Sequence, residues 1–146
     1  MIHRYKATIP QSKNFVRVYE VKATTTLYAL HLFLQNDLSF SPDQQVFFHS
    51  VDSEGKRIHE YGLFDTGSGS MDQVRLTSLH QNGVTTIHYV FDIFKGRYLA
   101  LEFDGTEEEL PRKTYPRTIM ERGGDPDQFR EEQSLLEMNF DECESV

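Results

Sequence analysis

The stretch that decides the fold class is Thr85-Thr86-Ile87-His88-Tyr89-Val90-Phe91-Asp92-Ile93-Phe94, followed by Lys95-Gly96 and then Arg97-Tyr98-Leu99-Ala100-Leu101-Glu102-Phe103. Both arms are rich in aromatic and branched apolar residues. A short glycine-containing pair between two such runs is a hairpin signal, because glycine accepts the positive φ a tight turn demands. On a pleated strand Ile87, Tyr89, Phe91 and Ile93 share one face, and His88, Val90, Asp92 and Phe94 share the other.

Upstream, Ile2–Ile9 and Phe15–Val21 read as two further strands joined by the turn Pro10-Gln11-Ser12-Lys13-Asn14, an opening hairpin. Thr24-Thr25-Thr26 supplies hydroxyl caps for a helix of about 12 residues that ends near Asp37. Leu27, Leu30, Leu34 and Leu38 fall at helical spacing and make one apolar stripe. Ser41-Pro42-Asp43 breaks that helix, Gln45–Val51 is a strand, and Ser53-Glu54-Gly55-Lys56 turns the chain into a short strand over Arg57–Tyr61. Asp65–Ser70 is a Gly/Ser loop, and Val74–Leu79 fits either a helix or a strand. Beyond Asp104-Gly105 the chain reads as acidic and irregular. A Tyr115–Met120 segment leads to the turn Gly123-Gly124-Asp125-Pro126, and a further helix is predicted from about Asp127 to Glu137.

The predicted architecture is α+β: a mixed, mostly antiparallel sheet with one main helix packed on it, β-grasp-like order at the N-terminus, and a C-terminal acidic extension. Residues 1–130 form the expected domain, and 131–146 an acidic tail, either a docked helix or partly disordered. At 146 residues, 38% hydrophobic and 26% charged, the chain has the length and composition of one globular domain.

The single cysteine, Cys143, excludes an internal disulfide. With no signal-peptide pattern at Met1-Ile2-His3-Arg4-Tyr5-Lys6, the expected location is the cytoplasm. The longest apolar run, Leu27 to Leu34, contains His31 and falls far below the ~18 residues of a spanning helix, so no membrane association is expected. The net charge of -8 is uneven. Residues 1–104 hold 10 Lys/Arg and 11 Asp/Glu, whereas residues 105–146 hold 5 and 12. From Glu131 onward there is no basic residue, which disfavours phosphate binding by the tail and nucleic acid as a partner. Acidic tails solvate, repel, or engage basic partners.

Leu63-Phe64-Asp65-Thr66-Gly67-Ser68 resembles the catalytic loop of aspartic proteases, in which two Asp residues share a proton because adjacent like charges cannot both ionise. One such loop in a short chain requires dimerisation, and a surface turn uses the same residues. Asp65 is therefore the one candidate catalytic residue.

His3, His31, His49, His59, His80 and His88 form no metal-ligand spacing, although His49 and His59 are placed to face each other across a short pair. No cofactor or metal is expected. Asp92 interrupts an aromatic strand and is either a groove carboxylate or a partner for Arg97 and the next turn. Arg112, Lys113, Arg117 and Arg122 are expected to pair with Glu107-Glu108-Glu109. Leu135, Leu136 and Phe140, within an acidic segment, either bind a partner groove or pack on the sheet.

Two resemblances follow from these residues. Ser41-Pro42-Asp43-Gln44-Gln45, an apolar strand, a charged Gly turn and Tyr61-Gly62 resemble ubiquitin over residues 2–65, which implies a β-grasp order. Gly123-Gly124 is internal and Val146 is last, so conjugation is not implied. More broadly, Tyr89-Val90-Phe91-Asp92-Ile93, the hairpin return, Tyr115-Pro116 and Gly123-Gly124-Asp125-Pro126-Asp127-Gln128-Phe129 resemble the Ri-plasmid ORF-3-like family, a family without established function. Here Phe94-Lys95-Gly96 stands where the family has a Gly-Asp turn, and Arg97-Tyr98 where it has a Trp.

The expected function is a non-catalytic protein-binding or scaffold module, acting as a monomer or weak dimer on an unidentified protein partner. Asp92, Tyr115, Asp125, Leu135, Leu136 and Phe140 are its candidate contacts, centred where the Tyr89–Asp92 strand meets the Tyr115–Phe129 segment. The alternatives are an Asp65-dependent dimeric hydrolase and a nucleic-acid accessory protein of mobile elements.

Overall fold

The structure, a computed structural model, describes residues 1–42 and 44–126. The predicted helix from Asp127, the tail from Glu131, and Leu135, Leu136 and Phe140 lie outside the described residues.

Among the described residues seven strands form one sheet: β1 (Ile2–Ile9), β2 (Ser12–Lys22), β3 (Phe47–Val51), β4 (Arg57–Tyr61), β5 (Thr86–Asp92), β6 (Arg97–Glu107) and β7 (Arg117–Arg122). Their spatial order is β4-β3-β5-β6-β1-β2-β7. Every pairing among them is antiparallel, so the mixed character expected of the sheet is not found among the described residues. The order has a simple cause. Three strand pairs adjacent in sequence close as hairpins, and the long β5–β6 hairpin inserts between β3 and β1, where each of its arms finds an antiparallel neighbour.

Helix α1 (Leu27–Asp37) begins where the threonines predict: Thr26 accepts a hydrogen bond from the Ala29 N–H at 3.1 Å. Its stripe of Leu27, Leu30, Leu34 and Leu38 is buried against the sheet together with Tyr19, Phe48, Ile87, Tyr89, Leu99 and Leu101. Burial of each such leucine contributes about 1.5–3 kcal/mol. His31 is also buried, on the flank of that stripe, and its Nδ1 lies 2.7 Å from the Tyr89 hydroxyl. A buried imidazole is tolerated because a polar partner meets it.

The undecided Val74–Leu79 segment contributes a second short helix, α2 (Leu76–Gln81), that buries Leu76 and Leu79. It follows a single 3-10 turn at Met71–Gln73.

Several boundaries depart from the sequence reading: β2 begins at Ser12, inside the expected Pro10–Asn14 turn, and β3 at Phe47 instead of Gln45. The strand predicted to reach Phe94 ends at Asp92, because the Asp92 carboxylate accepts the Lys95 N–H at 3.1 Å and turns the chain out of the ladder. Ile93 and Phe94 are consequently exposed instead of sharing the faces of Phe91 and Asp92. The region after Asp104-Gly105, expected to be irregular, extends β6 to Glu107 and then supplies β7. Backbone pairing with β1 and β2 decides this, and local composition does not show it.

Candidate functional site

The residues expected to meet at one junction are not brought together. Asp92 ends β5, while Tyr115 and Asp125 flank β7, and β6, β1 and β2 stand between those strands. Each of the three is engaged within the chain. Asp92 holds Arg97 through Nε at 2.9 Å and Nη2 at 2.8 Å, with both side chains buried, and it also closes the turn through Lys95. Tyr115 receives the Leu110 N–H at 3.3 Å. Asp125 accepts from Arg17 Nη2 at 3.1 Å.

Arg17 was not singled out by the sequence, yet it organises the far end of the sheet. Its guanidinium is buried on β2 and donates to the carbonyls of Val16, Arg122 and Gly123 at 2.9, 2.9 and 3.0 Å. Gly123 has φ +84°, and a Cβ there would lie 2.6 Å from the Asn14 carbonyl oxygen. The Gly-Gly-Asp turn is therefore a clamp on the start of β2.

The acidic last third is tied to the basic first hairpin in the same way. Arg4 pairs with Asp104 at 3.3 Å and with Glu107, Lys22 with Glu109 at 3.4 Å, and Arg117 with Glu20 at 2.5 Å. Arg117 therefore pairs directly with Glu20 and reaches Glu107 only as a nearby charge; Arg4 and Lys22 make the direct ion pairs to Glu107 and Glu109, from strands that the register sets beside them.

What remains is the opposite edge. Over residues 23–74 the chain carries seven carboxylates against two cations, Lys56 and Arg57. Arg57 is turned onto the sheet face, 4.9 Å from the Tyr98 ring, and donates to His88 Nδ1 at 3.2 Å. His88 stacks on Tyr98 at 4.2 Å and lies opposite His49 in the register. Burial, with the nearby charge of Arg57 and with His49, pushes the His88 imidazole down to about 4. His49 does not face His59. It sits opposite Glu60, 3.8 Å from its carboxylate, because the β3–β4 pairing sets that register.

Strand β4 is the edge strand here, paired with β3 on one side. Two concavities flank it. A cleft of about 650 Å3 lies between the β3–β4 hairpin and α2, lined by Ser50, Ile58, His59, Ser68, Leu79 and Asn82 among others. A groove of about 380 Å3 is bounded by Val46, Phe47, Leu63 and Phe64, with Glu60 as the one charged residue among its described lining. Ile58, which lines the cleft, and Leu63 and Phe64, which line the groove, are 50, 48 and 84% exposed.

Asp65 lies in the loop between the two concavities. Its Oδ1 accepts the N–H groups of Gly67 at 2.8 Å and Gly69 at 3.0 Å. Those two backbone donors hold its carboxyl below the usual carboxylate range. A proton-sharing pair needs a carboxyl that retains its proton, so this environment works against that chemistry. Ser68 Oγ lies 3.2 Å from His59 Nδ1, and the His59 N–H donates to Ser50 Oγ at 3.2 Å. Among the described residues no carboxylate is hydrogen-bonded to His59, so the pair lacks the group that would orient the imidazole as a base. Among the described residues no group of three or more His, Cys, Asp or Glu is arranged to hold a metal ion. Nor is any helix there long and apolar enough to cross a membrane.

The sequence did contain a signal for this corner: two cations, side by side, in 52 residues. The signal is lost when the charge is averaged over residues 1–104.

The fold is similar to that of the protein of unknown function MM3350 from Methanosarcina mazei Go1, known as a crystal structure. The TM-score is 0.72 at 13% sequence identity, covering 86% of this chain and 71% of that one. At that identity the likeness concerns the fold alone. No protein-family model matches the chain, and no curated protein does.

Proposed function

We propose that this chain is a non-catalytic protein-binding module of the Ri-plasmid ORF-3-like family, working in the cytoplasm as a monomer or weak dimer. The single observation that carries the binding reading is the β4 edge. It combines a sheet margin that no strand among the described residues extends, exposed Ile58, Leu63 and Phe64, and a concavity on either side. Exposed apolar side chains on and just after an edge strand match strand-addition recognition, in which main-chain hydrogen bonds supply affinity and pockets supply specificity.

The family assignment is supported by the roles its motif residues take. Tyr89 and Phe91 pack in the core, Asp92 closes the hairpin, and Gly123 and Asp125 close on Arg17. A β-grasp-like beginning is supported by the succession of hairpin, helix and strand in β1–β2–α1–β3. Within the domain, Glu107, Asp125 and Glu109 are held to the sheet by ion pairs with Arg4, Arg17 and Lys22.

The test places a photo-crosslinking residue at Phe64 and, as a control, at exposed Lys13 in cells expressing the full chain. The expected result is a protein adduct specific to position 64. No adduct, or the same adducts at both positions, would overturn the binding reading. Peptide-bond cleavage by the purified chain that is lost in Asp65→Asn would replace it with the hydrolase.

A further inference from the structure

The charge distribution around the β4 edge specifies the partner. We propose that this edge takes an extended, positively charged peptide segment of another protein as an added strand, an inference that rests on the protein-binding reading above and names its ligand class.

Three observations carry the choice of occupant. First, the stretch from the centre of β4 onward is acidic: residues 58–74 contain Glu60, Asp65 and Asp72 and no Lys or Arg. The arginines that bracket this stretch are engaged elsewhere: Arg57, the first residue of β4, lies on the sheet face against Tyr98 and His88, and Arg75 donates to the Thr24 carbonyl. Second, Asp92, Asp104, Glu107, Glu109 and Asp125 on the rest of the sheet each have an arginine or lysine partner, whereas Asp65 and Asp72 have none among the described residues. Third, Asp65 is held ionised by backbone donors beside the exposed Phe64, which fixes a negative charge next to the apolar groove.

A strand-adding peptide presents alternate side chains to opposite sides. An apolar side chain seats in the groove of Val46, Phe47, Leu63 and Phe64, and its lysines or arginines meet Glu60 and Asp65. Charges at the rim of such a site steer encounter and select the partner more than they add affinity. The same charges repel a nucleic-acid backbone, and they repel a second copy of this edge laid on itself.

The experiment selects short peptides from a random display library on the full chain and measures the enriched peptides by fluorescence anisotropy. The expected peptides carry net positive charge, alternate apolar residues and lack central proline. Their binding weakens about tenfold in Glu60→Lys and in Phe64→Ser, and is restored by raising peptide charge against neither variant. Ile58→Pro, which bars a ladder donor, abolishes it; Phe64→Ser serves where that variant fails to fold, because Phe64 is almost fully exposed.

Enriched peptides that are neutral or acidic, with binding unmoved by Glu60→Lys, would overturn the charge assignment while leaving a peptide-binding module standing. Binding that ignores both Phe64→Ser and Ile58→Pro, or no enrichment at all, would overturn the strand-addition site. A concentration-dependent dimer of this chain that disappears in Phe64→Ser would make a second copy the occupant and overturn the proposal.

Discussion

Arg17 on β2 and Asp125 after β7 lie 108 residues apart in sequence and meet at 3.1 Å, with the arginine side chain 2% exposed and the aspartate 48%. The contact closes the last described turn onto the first hairpin. Arg17→Ala removes donors from three backbone carbonyls at once and should destabilise by about 3 kcal/mol. Arg17→Lys should not restore it, because an ammonium cannot reproduce the planar fork. Asp125→Asn should cost no more than about 1 kcal/mol, since the carboxylate is half exposed. Urea denaturation of the three variants gives this ranking, and equal losses for Asp125→Asn and Arg17→Ala would refute it.

Gly123→Ala tests the same clamp from the backbone. The added methyl meets the Asn14 carbonyl oxygen at 2.6 Å, and the residue keeps φ +84°. A loss of about 1–3 kcal/mol is expected, with faster hydrogen exchange at the start of β2. Gly55→Ala, at the same φ but with open space around it, should cost less.

Asp92 and Arg97 form a buried pair that also shapes the hairpin turn. A double-mutant cycle with Asp92→Asn and Arg97→Met should give a coupling of about 1–3 kcal/mol, because the pair is shielded from water. Coupling below about 0.5 kcal/mol would mean that the turn bond to Lys95 carries the stability instead.

At the helix start, Thr26→Ala removes the acceptor for the Ala29 N–H and should cost about 1 kcal/mol, and Thr26→Asp should retain most of that stability. Thermal unfolding of the pair checks the cap against a general loss of side-chain packing.

His88 makes stability depend on pH. Its folded pKa is pushed from 6.5 down to about 4, so between those values the unfolded chain binds the proton more readily. Its stabilising contribution is complete above pH 6.5 and is lost as pH falls toward 4. His3, His31 and His49 are shifted in the same direction by burial, so the decline should be steeper than one group produces. His88→Asn should flatten the urea midpoint against pH. An NMR titration of the His88 ring with an ordinary midpoint would contradict the burial.

Much of the frame was legible in local pattern. Thr26 as cap, the leucine stripe of α1, and the β1–β2 and β5–β6 hairpins follow from spacing that any neighbouring apolar surface would satisfy. The end of β5 was not, because Asp92 competes with the ladder for the Lys95 N–H, and a strand-compatible Ile93-Phe94 pair does not reveal that competition. The site was harder still. Ile58 and Phe64 are unremarkable in sequence, and only their exposure at a sheet margin gives them meaning.

By itself, then, the sequence determined the α+β class, the helix and the hairpins, since these rest on periodicity and turn chemistry acting over a few residues. The tertiary structure alone decided the strand order, the fate of the charges, and the exposed corner. Insertion of β5–β6 between β3 and β1 leaves β4 as an edge, and the register sets Arg4, Arg17 and Lys22 against the acidic last third. Those are contacts between residues distant in the chain, and no local pattern specifies which distant charge is neutralised and which is left exposed.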